Sequence, residues 1–173
     1  MKKELFTTPV YSGKINVTDR TIDDFKIWLK FEKELNPVGS KESTTQNGWQ
    51  HVFTSDEPEP NWLTSLNLEI SKIREEIGCA RTKTVWVVDY NVGGFQDPHF
   101  HTVGVVKVST ILINLIGEGE VILQDPRPLA MGQGYGFAVT YNLSPGDWLA
   151  MPAYVIHNSR PCTCLLYTSP SPR

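Results

Sequence analysis

The chain has 173 residues, 40% of them hydrophobic and 20% charged, with a formal net charge of −3. These values fit one domain with one core, and the lack of a basic block argues against a nucleic-acid partner. No apolar run reaches the roughly 20 residues of a membrane span, and Met-Lys-Lys-Glu leads into no signal-like segment, so we expect a soluble, cytoplasmic protein. The three cysteines lack C-x-x-C spacing, which predicts reduced structural thiols at Cys79, Cys162 and Cys164.

Two amphipathic helices are predicted in the first half of the chain, after a short extended segment at residues 4–11. Asp19 or Thr21 can cap the first, and Gly78 is a natural stop for the second, which opens after Pro60. The polar residues Ser40–Gly48 predict a loop between them. Apolar side chains recur near a 3.6 period and should pack against a sheet: Ile22, Phe25, Trp28, Leu29 and Leu35, then Leu63, Leu66, Ile70, Ile73 and Ile77.

From residue 82 onward the pattern changes to β-strand. Glu118-Gly119 predicts a tight hairpin turn, after which the next strand pairs back on the preceding one. Turns or loops are also predicted at residues 125–128, 132–136 and 145–147. The fold class is therefore mainly β (α+β), an antiparallel sandwich or barrel with helices in front. The strands are expected at Thr84–Tyr90, Val103–Ile116, Glu120–Gln124, Val139–Leu143 and Trp148–Met151.

Three of the four histidines fall in two segments that resemble strand ends. Alternate side chains of an extended segment share a face, so His99 and His101 project together and Phe100 points away. His157 supplies a third imidazole if the intervening strands fold back. Three neutral imidazoles that leave open positions form a catalytic type of metal site, suited to iron, zinc, copper or nickel. We expect such a site to lose metal below about pH 6, because the imidazoles must be neutral to bind.

These motifs resemble the double-stranded β-helix (jelly-roll) core of iron(II)/2-oxoglutarate-dependent dioxygenases. The first motif reads Tyr90-x2-Gly93-x5-His99-x-His101, and the distal one reads Gly146-Asp147-x4-Pro152-x4-His157. The distal motif also fits the broader cupin pattern. Within the superfamily, the chain is similar over about residues 4–162 to oxygenases common in marine bacteria and their phages. Those oxygenases share three further elements, seen here as Leu5, Phe6 and Pro9, as Gly48-Trp49-Gln50 and as Asp125-Pro126-Arg127.

The resemblance implies iron(II) on His99 and His157, with His101 where most of the superfamily places the Asp or Glu of its facial triad. The cosubstrate 2-oxoglutarate would chelate the metal, and Tyr90 lies where related enzymes hydrogen-bond it. The basic residue that pairs with its distal carboxylate usually lies some ten residues after the distal histidine, in the segment beyond Thr163, so we expect the true partner to be absent and Arg160 to be the remaining candidate. The missing triad carboxylate leaves two substitutes to consider, Asp97 and Asp125.

Three functions remain open on this basis. The first is a 2-oxoglutarate-dependent oxygenase that hydroxylates a protein, a peptide or a small molecule. The second is a cupin-like dioxygenase that uses three histidines and no 2-oxoglutarate. The third is a non-catalytic β-barrel binding module, with His101 marking loss of the triad. The sequence does not identify the substrate or the oligomeric state.

The last ten residues, 164–173, match the translation of a transposon-type sequencing adapter in one reading frame. We therefore interpret residues 1–163 as a single oxygenase-like domain truncated at its C-terminus, and 164–173 as not natural protein. Its helical part covers about residues 1–80 and its barrel core about 81–163. Resequencing the locus without adapter read-through tests this, since a natural stop codon directly after Arg173 would contradict it.

Overall fold

The structure is a computed structural model that describes residues 7–40, 44–54, 56–78, 84–101, 110–127 and 136–162, and the backbone of 166–169. Two helices and nine strands lie within these ranges. None of the helices described there is long and apolar enough to cross a membrane. The elements are β1 (Tyr11–Lys14), α1 (Asp19–Leu35), β2 (Thr45–Val52), α2 (Asn61–Glu76), β3 (Trp86–Gln96), β4 (Thr110–Ile116), β5 (Gly119–Gln124), β6 (Ala138–Leu143), β7 (Asp147–Met151), β8 (His157–Ser159) and β9 (Leu166–Ser169).

The strands form two antiparallel sheets that face each other. The larger sheet has six strands in the order β1-β7-β4-β9-β3-β2, and the smaller has three in the order β6-β5-β8. An isolated antiparallel bridge between His99 and His157 extends the smaller sheet beyond β8. Apolar side chains between the sheets form the inner core: Leu112, Val121, Leu123, Leu143, Leu149, Met151 and Val155. The predicted mainly β fold with helices packed on it is confirmed.

Both helices pack on the outer face of the larger sheet, as their apolar periodicity predicts. Phe25 of α1 and Leu66 of α2 are buried with Ile111 and Ile113 of β4 in one cluster. Two details of α1 differ from the prediction. Thr18, rather than Asp19 or Thr21, caps the helix, because its side chain accepts a hydrogen bond from the Thr21 backbone N–H. Leu35, in the last turn, is 65% exposed.

Strand β2 begins at Thr45, so the prediction of a loop over Ser40–Gly48 is wrong for its second half; residues 41–43 lie outside the described ranges. The strand forms one edge of the larger sheet and pairs with β3. Trp49 is buried, and its indole N–H donates to the Asn36 carbonyl at 2.8 Å. A strand of an antiparallel sheet can leave one face in solvent, so the polar residues of β2 concealed it in the sequence.

Strand β5 does not pair back on β4, so the predicted hairpin at Glu118-Gly119 is wrong. Strand β4 pairs with β7 and β9, whereas β5 pairs with β6 and β8 in the other sheet. Gly117 adopts a φ of +78° at this corner, a conformation that glycine accepts without strain. The Asn114 amide donates to the Gly117 carbonyl at 2.7 Å and to the Leu143 carbonyl at 2.9 Å. These bonds hold the crossing between the two sheets.

The remaining strands occur close to their predicted places. Strand β3 runs on to Gln96, six residues past the predicted end at Tyr90, and the predicted strand Val103–Ile116 is described from Thr110 onward. The predicted glycine-rich loop is described only at Gly136, and Cys79 and Cys164 lie outside the described ranges. Cys162 is buried, and its Sγ lies 3.0 Å from the Asn91 carbonyl oxygen. The reduced, structural role of the three cysteines stays a prediction.

Candidate metal centre

The three predicted histidines meet at one end of the barrel. Their ring centroids are 4.3 Å apart for His99 and His157, and 5.2 Å apart for each pair that includes His101. One nitrogen from each ring lies within 4.8 Å of the other two, a spacing that one ion can bridge. The Phe100 side chain between the two proximal histidines is 56% exposed, as expected for a residue directed away.

Main-chain hydrogen bonds bring the two histidine segments together. The His99 N–H donates to the His157 carbonyl at 3.0 Å, and the His157 N–H donates back at 2.9 Å. The His101 N–H donates to the Ala153 carbonyl at 2.9 Å. This bond fixes His101, two residues after His99, beside the segment that leads to His157. The distal motif therefore positions all three rings through its backbone.

Two of the rings are held in the form that binds metal through Nε2. The Nδ1 atom of His99 lies 2.8 Å from the Asp97 carbonyl, and that of His157 lies 2.9 Å from the Val155 carbonyl. Because a carbonyl only accepts, each Nδ1 must carry the proton, which leaves the Nε2 lone pair available. Metal-binding histidines generally donate their other ring N–H in this way, so the residues present fit a metal ion.

Burial keeps these imidazoles neutral. Desolvation, together with nearby His99, lowers the pKa of His157 from 6.5 to about 3. Desolvation also lowers the pKa of His99, against opposing effects from the Asp97 carbonyl and carboxylate. The sequence suggested metal loss below about pH 6, where an unperturbed imidazole protonates. The buried geometry moves the expected loss to lower pH, because protons compete less well for these rings.

Neither carboxylate considered as a substitute ligand joins the cluster. Asp97 accepts a hydrogen bond from the Gln46 amide at 2.7 Å, and Asp125 pairs with Arg127. Among the described residues, the group of side chains able to hold an ion consists of the three histidines. The centre therefore has three neutral ligands, which suits a divalent transition metal.

A small cavity lies deeper in the barrel, beyond His157. Tyr90 is 1% exposed there, its hydroxyl donates to Gln96 at 3.4 Å, and burial raises its pKa well above the ordinary value. The Oδ1 atom of Asn114 is buried in this wall without a hydrogen-bond partner among the described residues. The cavity has a volume of about 20 Å³, which is enough for about one water molecule and too little for a five-carbon diacid.

Arg160, the other predicted cosubstrate ligand, lies on the outside of the smaller sheet. Its Nε is 3.1 Å from Glu120, and its side chain is 59% exposed. It lines a separate cleft with Glu118, Asn142 and Cys162 rather than the cavity beside Tyr90. The structure therefore brings Tyr90 near His157 without Arg160.

Trp86 is a neighbour of the centre that the sequence did not single out. Its ring centroid is 5.2 Å from that of His101, at an interplanar angle of 43°. The sequence predicted Trp86 only as part of a strand, because the residue pattern of β3 does not show that this side chain faces a histidine. It is 8% exposed and shields one side of the cluster from water.

Several solved structures share this architecture. A prolyl-4-hydroxylase from Pseudomonas putida aligns with 96% of this chain and 94% of its own at a TM-score of 0.62 and 11% identity. The chain has the double-stranded β-helix fold. A viral collagen prolyl hydroxylase from Paramecium bursaria Chlorella virus-1, in complex with 2-oxoglutarate, gives a TM-score of 0.58 at 15% identity, over 93% of this chain and 94% of its own. HygX from Streptomyces hygroscopicus, with nickel and 2-oxoglutarate bound, gives a TM-score of 0.58 at 11% identity, over 96% of this chain and 83% of its own.

The likeness lies in the fold rather than in the sequence. No protein-family model and no curated protein matches the chain. Identities of 11–15% establish the double-stranded β-helix fold alone, so they do not place this chain among the marine and phage oxygenases. The arguments about chemistry therefore depend on the side chains of the centre.

Proposed function

We propose that the protein is a non-haem iron(II)- and 2-oxoglutarate-dependent dioxygenase that hydroxylates a small molecule or a peptide. The observation that carries the proposal is the cluster of three imidazoles, two of them fixed with Nε2 directed to a shared point. Structural neighbours with the same fold include one protein with nickel and 2-oxoglutarate bound and one in complex with 2-oxoglutarate, which supports the same chemistry for this chain.

His99, His101 and His157 would hold the ion. When bound, iron(II) and 2-oxoglutarate supply the activation of dioxygen, and the protein supplies position and a dry environment. The carbonyls of Asp97 and Val155 orient two of the rings, and burial of His157 keeps it deprotonated and available. Among the described residues, the inner cavity beside Tyr90 has no room for the cosubstrate.

A second candidate is a dioxygenase that uses the three-histidine centre without 2-oxoglutarate. The specific observation in its favour is that Asp97 and Asp125, the two carboxylates considered as substitutes for the triad acid, both have other partners. A centre with three neutral ligands is one negative charge poorer than the facial triad, which changes how it binds an anionic chelator.

Two measurements test the proposal. Purified protein supplied anaerobically with iron(II), and then with 2-oxoglutarate and oxygen, should release carbon dioxide and succinate in an iron-dependent manner. Oxygen uptake without 2-oxoglutarate would favour the second candidate, and neither activity would favour a binding module.

Metal affinity tests the ligands directly. Calorimetry should show that His157→Ala lowers iron(II) affinity by at least about 100-fold. Loss of a residue that only supports a metal ligand can already cost about that much, so loss of a ligand itself should cost no less. The matched control is His51→Asn, because His51 packs against Trp28 and Trp49 in a different cluster. Equal affinities for the parent and His157→Ala would contradict the assigned centre.

A further inference from the structure

Strand β6 forms an outer edge of the smaller sheet. It pairs with β5 on one side, and no strand in the described part of the chain pairs with its other side. The register with β5 runs without a break over all six residues of β6. The ladder extends one step further, because the Asp125 N–H donates to the Phe137 carbonyl at 2.8 Å. The strand therefore presents a regular backbone edge to solvent.

The ladder shows which backbone groups of β6 face the free side. Opposite residues of an antiparallel pair alternate between pairs that exchange hydrogen bonds and pairs whose N–H and C=O groups point away from each other. Because the Phe137 carbonyl bonds toward β5, the groups of Ala138, Thr140 and Asn142 point to the free side. Each of these residues offers one donor and one acceptor to a further strand.

The β6 edge lacks the features that usually protect a free edge. Natural sheets guard such edges with charged side chains, proline, bulges or very short strands. The segment 136–143 contains no charged residue and no proline. The edge strands of the larger sheet do carry such features: the register of β2 shifts between Gln46 and Gly48, and β1 is four residues long and ends at Lys14. The contrast indicates that β6 is suited to pairing with another strand.

Two large apolar side chains are exposed at this edge. Phe137 is 52% exposed and Val139 is 57% exposed. Val139 points to the same face of the strand as the buried Leu143, because alternate residues share a face. Tyr141, between them, is partly buried and packs against the inner core. An exposed edge strand with such side chains is a template for pairing with another chain.

The strand is complementary to a second copy of itself. In an antiparallel pair with Thr140 opposite Thr140 of the second copy, Ala138 lies opposite Asn142. The residues with outward backbone groups then meet each other, so each of those groups has a partner across the pair. The same register places Val139 opposite Tyr141, a pairing of β-branched and aromatic side chains that stabilises sheets. No charged residues oppose each other in this register.

An extended peptide from another protein would satisfy the backbone groups of β6 equally well. The second copy also matches the side chains in one register, and this favours it as the occupant. We propose that two copies of this chain associate through β6, about a two-fold axis at Thr140, so that their smaller sheets join into one continuous sheet. Such an interface is isologous, the commonest kind in symmetric oligomers. The inference does not depend on the metal centre.

The size of the contact sets the expected affinity. A strand of six residues is about 20 Å long. Contact along one such strand buries less than the roughly 800 Å² per partner of a standard interface. The dimer is therefore weak, with a dissociation constant above about 1 μM.

Sedimentation equilibrium of the full chain from about 5 to 500 μM tests the association, and the parent should pass from monomer to dimer in this range. Thr140 is exposed, so Thr140→Lys and Thr140→Glu should fold as the parent does. Each variant should dimerise about fivefold to tenfold more weakly, because like charges then face each other at the axis. An equimolar mixture of the two variants should dimerise as the parent does, because opposite charges then meet.

A control variant and hydrogen exchange locate the contact. Ser12→Lys places the same charge at an exposed position on β1, another edge strand, and should leave the dimer unchanged. Amide exchange measured by NMR at low and high protein concentration gives a second readout. The amides of Ala138, Thr140 and Asn142 should exchange more slowly at high concentration, because the dimer pairs them.

A dimer that persists unchanged in both Thr140 variants, or that leaves the β6 amides unprotected, would overturn the inference. A parent that stays monomeric over the whole concentration range would also overturn it. In that case, slow exchange of the β6 amides would mean that another segment of the same chain covers the edge. Fast exchange would leave an extended peptide from another protein as the occupant. Recovery of the dimer in the mixture separates charge repulsion from misfolding, since it requires that both variants are folded.

Discussion

His157 is 2% exposed, and no carboxylate in the described part of the chain compensates for its burial, so its environment favours the neutral ring in the folded state. In the unfolded chain the same imidazole takes up a proton near pH 6.5, whereas in the folded protein it does so only near pH 3. The unfolded state therefore binds more protons between these values. By linkage, this residue's contribution to the free energy of unfolding is complete above about pH 6.5 and decreases as the pH falls toward 3.

The prediction is that metal-free protein loses thermal stability more steeply between about pH 6.5 and pH 4 than a His157→Gln variant does, because the variant lacks this proton-linked group. Thermal melts of both proteins over that range measure the difference between the two slopes. Other titrating groups are common to both proteins and cancel in the comparison. Identical slopes would show that the folded-state pKa of His157 is not depressed.

His101 occupies the place where the resemblance predicts a carboxylate. We expect His101→Asp to bind iron(II) at least as tightly as the parent, because an anionic oxygen ligand replaces a neutral imidazole on the same face. The comparison needs anaerobic calorimetry on both proteins, with His101→Ala as the variant that removes the ligand without replacing it. If His101→Asp bound as weakly as His101→Ala, the residue would not face the ion.

The sequence could place His99 and His101 on one face, because alternate residues of an extended segment share a face. It could not predict the carbonyl partners of the Nδ1 atoms, since every residue has a carbonyl and only tertiary packing selects Asp97 and Val155.

At the level of elements, one ion pair joins helix α1 to the larger sheet. Lys33, in the last turn of α1, donates to Asp89 of β3 at 2.5 Å. Asp89 is 2% exposed, whereas the lysine side chain is 37% exposed. A buried carboxylate with a partly exposed partner depends strongly on that partner, since removal leaves an uncompensated charge in the interior.

We predict that Lys33→Met lowers the free energy of unfolding by about 3 kcal/mol, the lower end of the range for breaking a buried pair. Lys30→Met is the matched control, because Lys30 is exposed on the same helix and should change stability by less than about 0.5 kcal/mol. Urea denaturation of the three proteins gives both values. Equal stabilities for the two variants would mean that Asp89 does not depend on Lys33.

Helices and strands were predictable to different degrees for a physical reason. The apolar period of α2 is complete, so its bounds follow from Pro60 and from Gly78, which adopts a φ of +66° just past the helix. By contrast, the chain passes into the smaller sheet after Gly117, so β5 pairs with β6 and β8. A turn signal such as Glu118-Gly119 is compatible with a hairpin and with a crossing between sheets, so local sequence could not decide between them.

For the whole molecule, closure of the larger sheet depends on strand β9. Its backbone lies between β3 and β4, with Asn114 and Val88 both registered opposite Thr168. These residues belong to the segment that the sequence suggests is adapter-derived, an interpretation that remains a prediction. Its backbone pairing with both neighbours holds this strand in the sheet.

Deletion of residues 164–173 should therefore destabilise the protein and promote association, because β3 and β4 would present unpaired edges. Deletion of residues 170–173 alone is the control that leaves β9 in place. Melting temperature and light scattering of both proteins measure the effect. A full deletion that melted at the parent's temperature and stayed monodisperse would show that β9 contributes nothing to the sheet.

Trp86 gives the centre an optical signal of its own. Its indole lies 5.2 Å from the His101 ring, while the buried Trp49, Trp62 and Trp148 pack in the separate cluster beneath the helices. A paramagnetic ion on the histidines would quench the fluorescence of the nearest indole most strongly. Occupancy can thus be followed by emission in untagged protein, and Trp86→Phe should abolish most of the change.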